Sequence, residues 1–133
     1  MSATHGYSGK PLYQKLGLKP GMVCLTMGAP ADYPELVDGV EEVIFRTRGK
    51  TADVVHLFCR QRADLDAKIE GALSKVADGG MLWVSWPKKS SPMYQDLTED
   101  DLRTVILPLG WVDVKVCAVD QDWSGLKFMR RRR

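Results

Sequence analysis

Met81 to Trp86, "MLWVSW", is apolar on both of its alternating faces. A strand that buries both faces must be covered from both sides, so this segment predicts a central strand with helices above and below its sheet. The rest of the chain supplies the other layers. Leu65, Ile69, Ala72, Leu73 and Val76 fall on one stripe at helical spacing, with Gly79-Gly80 as the expected stop. Met22 to Met27 and Asp53 to Cys59 are compact apolar runs of strand length.

Pro11, the Leu12/Leu16 pair and Gly17 outline a short first helix. Asp32 offers an N-cap for a brief helix through Val37, ended by Gly39. Val40 to Phe45 reads as a second strand, but only Thr47 to Ala52 separate it from the third. A parallel crossover normally needs a dozen residues or more. The second strand is therefore either a short irregular edge or an antiparallel partner of its successor. Thr98 and Asp101 form a capping-box pattern that opens a helix through about Leu107, closed by Pro108 and Gly110. Val112 to Val119 and Leu126 to Met129, joined by "DQDWSG", suit an antiparallel hairpin. Strands alternating with helices predict a three-layer α/β domain over residues 1–133, with a mixed sheet of about six strands.

Charge and cysteines narrow the function classes. The chain has 19 Lys and Arg against 17 Asp and Glu, and without Arg130 to Arg133 the balance is 15 against 17. The basicity sits in the tail, whereas a nucleic-acid footprint spreads over a face, so a nucleic-acid role is disfavoured. Cys24, Cys59 and Cys117 lie in separate apolar runs without a Cys-x-x-Cys pair, as expected of reduced core thiols in a cytoplasmic protein. No apolar stretch approaches the ~18 residues of a membrane span, and Met1 to Leu12 lacks the apolar run of a signal peptide.

The order "LGLKPGMVCLTMGAP", "ADVVHLF", "LDAKIEGALSKVADGGMLWVSW" and "LGWVDVKV" resembles a Rossmann-like methyltransferase that uses S-adenosylmethionine. The motifs carrying this likeness are Pro20-Gly21 before the first strand and Gly79-Gly80 before the fourth. "WVSWPKKSS", "DLTEDDLR", "DVKVCAVD" and "WSGLKFMRR" resemble, over nearly the whole chain, a family of small bacterial proteins whose shared domain has no assigned function. The first resemblance implies a methyltransferase-like fold, from which this chain departs in lacking the segment for a third strand and its helix. The second implies no activity.

The loop "LTMGAP" tests whether the fold could keep such a cofactor. A nucleotide-binding turn after the first strand uses closely spaced glycines so that backbone can approach the ligand. Here Gly28 stands alone, followed by Ala29 and by Pro30, which has no N–H to donate. A carboxylate near the end of the second strand should meet the ribose hydroxyls, but that strand ends Phe45-Arg46-Thr47-Arg48. An Arg there could meet the extra phosphate of a phosphorylated dinucleotide, an idea weakened by the missing glycine turn. No cofactor is expected in the methyltransferase manner.

Ligands of open α/β sheets sit beyond the carboxyl ends of the strands. That rim comprises Gly28 to Pro30, then Arg60 and Arg62, then Pro87, Lys88, Lys89, Ser90 and Ser91. Its cations and hydroxyls could surround a phosphate or carboxylate, against the plain reading of solvated loop charges. Trp86 could wall a pocket or simply cover core. Trp123, read as lying in the hairpin turn, has less packing to gain and is the better interaction candidate. Asp120 and Asp122 could hold a cation or act as acid and base, although such pairs in turns more often bond their own backbone. His56 lies mid-strand and His5 near the start, with no spaced Cys to complete a zinc site. Ser85 lacks the G-x-S-x-G elbow of a hydrolase. Cys59 beside Arg60 could be a reactive thiol, against an inert half-buried one.

The expectation is a non-catalytic module that binds a small anionic ligand or a protein partner through Gly28, Arg60, Trp86, Lys88, Lys89, Ser90 and Trp123. The alternative is a small divergent transferase, with Asp120 or Asp122 as base, that still takes an adenosyl ligand. The sequence leaves oligomeric state and ligand identity open.

Overall fold

The computed structural model describes residues 10–132, so His5 and Arg133 lie outside the described residues. The elements in chain order are α1 (Leu12–Leu16), β1 (Val23–Met27), α2 (Tyr33–Leu36), β2 (Ile44–Arg46), β3 (Ala52–Phe58) and α3 (Arg62–Ser74). They continue with β4 (Val76–Pro87), α4 (Glu99–Ile106), a 3-10 turn (Leu107–Leu109), β5 (Trp111–Ala118) and β6 (Trp123–Arg130). One mixed sheet has the order β2-β1-β3-β4-β6-β5. The first four neighbours run parallel, and β6 is antiparallel to both β4 and β5.

The doubly apolar "MLWVSW" segment does occupy the middle of this sheet, and each face has its own core. On one side Leu65 and Ile69 of α3 and Leu102 and Ile106 of α4 pack on Leu57, Leu82, Val84 and Phe128. On the other, Leu12 and Leu16 of α1 and Tyr33 of α2 pack on Val54, Trp83 and Trp123. Trp83 is fully buried, and its indole N–H donates to the Leu16 carbonyl at 3.0 Å, so its one polar atom is satisfied. Thr98 and Asp101 form the expected capping box: the Asp101 N–H donates to Thr98 Oγ1 and the Thr98 N–H to Asp101 Oδ2. No helix among the described residues is long and apolar enough to cross a membrane.

Three expectations are corrected. The second strand is Ile44–Arg46 rather than Val40 to Phe45, and it is a short edge lying parallel to β1. Val40 and Val43 pack half-buried against the core from a loop, and Glu42 takes a left-handed φ of 58° that stops the strand extending backwards. Gly79-Gly80 does not end α3, which stops at Ser74. It lies inside β4, in a bulge where Ala52 pairs with Val76 but Val54 pairs with Met81. A Cβ on Gly80 would sit 2.6 Å from the Asp53 carbonyl oxygen, so close approach to β3 requires glycine there. Trp123 is not in the hairpin turn. It opens β6, is buried, and packs edge-on against Phe58 with 5.0 Å between ring centroids.

Candidate functional site

At the end of β1 the chain turns at Gly28 with φ 73°. A side chain would be strained there and would bring a Cβ to 3.0 Å from the Phe58 carbonyl oxygen at the end of β3. The turn leads through Ala29 and Pro30 into α2, whose four residues lean over the carboxyl ends of β1 and β2. Between them opens a cleft of about 760 Å³. Its walls are mainly apolar, with Met27, Tyr33, Val37 and Phe45 prominent, and Asp38 and Arg46 stand at its polar margin. Arg46 makes no ion pair or hydrogen bond among the described residues.

Beneath the cleft lies a buried polar chain. The Tyr33 hydroxyl is 3.0 Å from His56 Nδ1, and His56 Nε2 is 2.7 Å from Ser85 Oγ. In a neutral imidazole one nitrogen donates and the other accepts, so both are satisfied in either tautomer. Burial holds His56 neutral by lowering its pKa to about 3, and raises that of Tyr33. Cys24 lies 3.9 Å from the Tyr33 hydroxyl, with its thiol pushed up to about 11 by burial. His56 also stacks on Phe58, while the Tyr33 ring meets His56, Phe58 and Phe45 edge-on. The ring that walls the cleft is thereby fixed from below.

The rim residues named from the sequence do not converge on one point. Gly28 belongs to the cleft over β1. Arg60 lies over the Trp123 ring, 5.5 Å from its centroid, and Arg62 is held by Asp66 and Asp101. Trp86, Lys88 and Lys89 line a second cavity of about 430 Å³ together with Thr98, Glu99 and Asp100, so its charge is mixed. Ser90 is exposed in the following turn, and Ser91 turns inward to accept from the Met93 N–H.

Asp120 Oδ1 accepts from the backbone N–H groups of Asp122 and Trp123, both at 2.8 Å, which is the Asx-type turn. Cys59 is buried and its pKa is pushed up to about 12, chiefly by desolvation, so it is held as a thiol. Among the described residues no three His, Cys, Asp or Glu side chains converge as a metal site. Sequence reasoning missed the Tyr33–His56–Ser85 chain. Its signal was present: His56 and Ser85 are the polar residues inside the apolar runs 54–58 and 81–86, and buried polar groups require partners.

No family model matches the chain, and no curated protein matches its sequence. Solved structures do resemble it. A methyltransferase dependent on S-adenosylmethionine from Aquifex aeolicus has a TM-score of 0.63 at 16% identity, over 90% of this chain and 87% of that one. The ribosomal protein L11 methylase of Lactobacillus delbrueckii subsp. bulgaricus gives 0.58 at 10% identity, covering 91% and 76%. Magnesium protoporphyrin IX methyltransferase from Synechocystis PCC 6803, solved with S-adenosylmethionine bound, gives 0.57 at 14% identity, covering 90% and 74%. The fold is that of Rossmann-like S-adenosylmethionine methyltransferases, closed by the antiparallel β5–β6 hairpin.

Proposed function

We propose that this protein is a non-catalytic binding module whose ligand is a small planar molecule with one anionic group, held in the cleft at the ends of β1 and β2. The observation that carries this reading is the cleft itself, with its apolar and aromatic walls and the unpaired Arg46 at its margin. Such a composition fits an apolar ring held by its faces and a carboxylate or phosphate held by a guanidinium.

S-adenosylmethionine fits these residues poorly. The turn after β1 offers one glycine and a proline without an N–H, and the tip of β2 carries Arg46 and Thr47 where a ribose would meet a carboxylate. The second reading, a divergent transferase that still takes an adenosyl ligand, is favoured by the sheet order and by the neighbours' common class. Thermal melting separates the two. Benzoate or indole-3-carboxylate should raise the midpoint, with the gain lost in Arg46→Ala, while S-adenosylhomocysteine leaves it unchanged. A saturable rise with S-adenosylhomocysteine alone would overturn the first reading in favour of the second.

A further inference from the structure

On a separate face, β5 and β6 break a pairing rule. Lys115 and Lys127 stand directly opposite each other across the antiparallel ladder. Like charges so placed repel and weaken a sheet. Lys127 alternates with Leu126 and Phe128, which point into the α3/α4 core, so the lysine pair projects on the α1 side. Lys19, Lys115 and Lys127 have no ion pair among the described residues, and the charges that act on Lys127 are those of Lys115 and Lys19. Burial and these cations together lower its pKa.

Beside this pair lies a groove of about 340 Å³ between α1 and β5, lined by Lys10, Gln14, Lys15, Lys115, Val116, Cys117 and Ala118. The Lys15 ammonium donates to the Ala118 carbonyl at 3.5 Å and holds its place in the wall. The sequence reinforces the sign of this region, because the first acidic residue of the chain is Asp32, after Lys10, Lys15 and Lys19. A local arrangement that costs stability is expected where it serves binding.

We propose that the α1–β5 groove is a binding site for a small polyphosphate, the di- or triphosphate portion of a ligand. Lys115 in the groove wall, with Lys127 directly opposite it and Lys19 close enough to act on Lys127, calls for several negative charges on one compact group. The donors are ammonium groups, point charges that donate to tetrahedral phosphoryl oxygens from many directions, and among the described residues no Arg lines the groove to impose the planar fork that a carboxylate matches. Single-stranded nucleic acid would need stacking platforms, and Trp83, Trp86, Trp111 and Trp123 are all buried.

The test is calorimetric titration of the full chain with sodium tripolyphosphate, against citrate and sulfate at equal ionic strength, and against oligothymidylates of increasing length. The expected result is one saturable tripolyphosphate site that is weakened at least about tenfold by Lys115→Ala and abolished by Lys115→Glu. Both variants should melt above the parent, since one removes the repulsion with Lys127 and the other turns it into attraction. That rise shows each variant to be folded. Tripolyphosphate binding no tighter than sulfate, or unchanged in Lys115→Glu, would overturn the proposal. Tighter binding to oligothymidylate that grows with length would overturn it in favour of nucleic acid.

Discussion

His56 Nδ1 and the Tyr33 hydroxyl lie 3.0 Å apart and join α2 to the centre of the sheet. Removing the hydroxyl in Tyr33→Phe leaves a ring nitrogen in a fully buried histidine without its partner. The expected loss is about 1–3 kcal/mol in denaturant unfolding, the cost of an unsatisfied buried group. The aromatic contacts of the ring should survive, so the cleft keeps its wall but gains freedom.

The same histidine sets an acid limit on stability. Its pKa is about 3 in the folded state against 6.5 as the ordinary value, so the unfolded chain binds the extra proton first as the pH falls. Its contribution is complete above pH ~6.5 and is lost toward pH 3, at up to ~1.4 kcal/mol per pH unit. Urea midpoints measured between pH 7 and 4 should show this slope, and His56→Gln should flatten it.

Gly28→Ala forces a Cβ into a left-handed turn and against the Phe58 carbonyl oxygen. A loss of at least about 1 kcal/mol is expected, because alanine at positive φ is strained in the native state. Ligand affinity in the cleft should fall further than stability alone accounts for, since the turn forms its edge.

Thr98→Ala removes the side-chain acceptor of the α4 capping box and should lower stability by about 0.5–2 kcal/mol, read from thermal or urea unfolding. Thr98→Ser should restore most of it, because only the hydroxyl oxygen is required.

Thiol labelling orders the cysteines. Cys117 is half-buried, while Cys24 and Cys59 are buried. Iodoacetamide on the native protein at neutral pH should reach Cys117 first, and Cys59 should label only on unfolding. Selective native labelling of Cys59 would contradict its burial.

The sheet was legible where periodicity reports burial directly. "MLWVSW" has no polar face, and that alone places β4 in the centre between two helical layers. Thr98 and Asp101 were legible because a cap is a local bond between near neighbours. Val40 and Val43 misled because apolar side chains packed half-buried from a loop look, in sequence, like those of a strand. Gly79-Gly80 misled because glycine marks both a helix stop and a close backbone approach, and only the neighbouring strand at Asp53 decides between them. The cleft could be anticipated in part from the turn at Gly28. The polar chain beneath it depends on Tyr33, His56 and Ser85 meeting from three elements, a non-local fact. Trp123 was drawn into the core by Phe58, which its neighbours in sequence do not announce.

The brevity of β2 bears on how copies of this chain behave toward one another. Among the described residues no strand pairs with its outer side, and Ile44 and Phe45 are exposed there. A template so short gives an incoming strand little ladder to extend, while the left-handed Glu42 blocks its growth. The bend at Glu42 thus acts as a guard against polymerisation: straightening it with a β-branched residue would lengthen the sticky edge and favour fibrous aggregates.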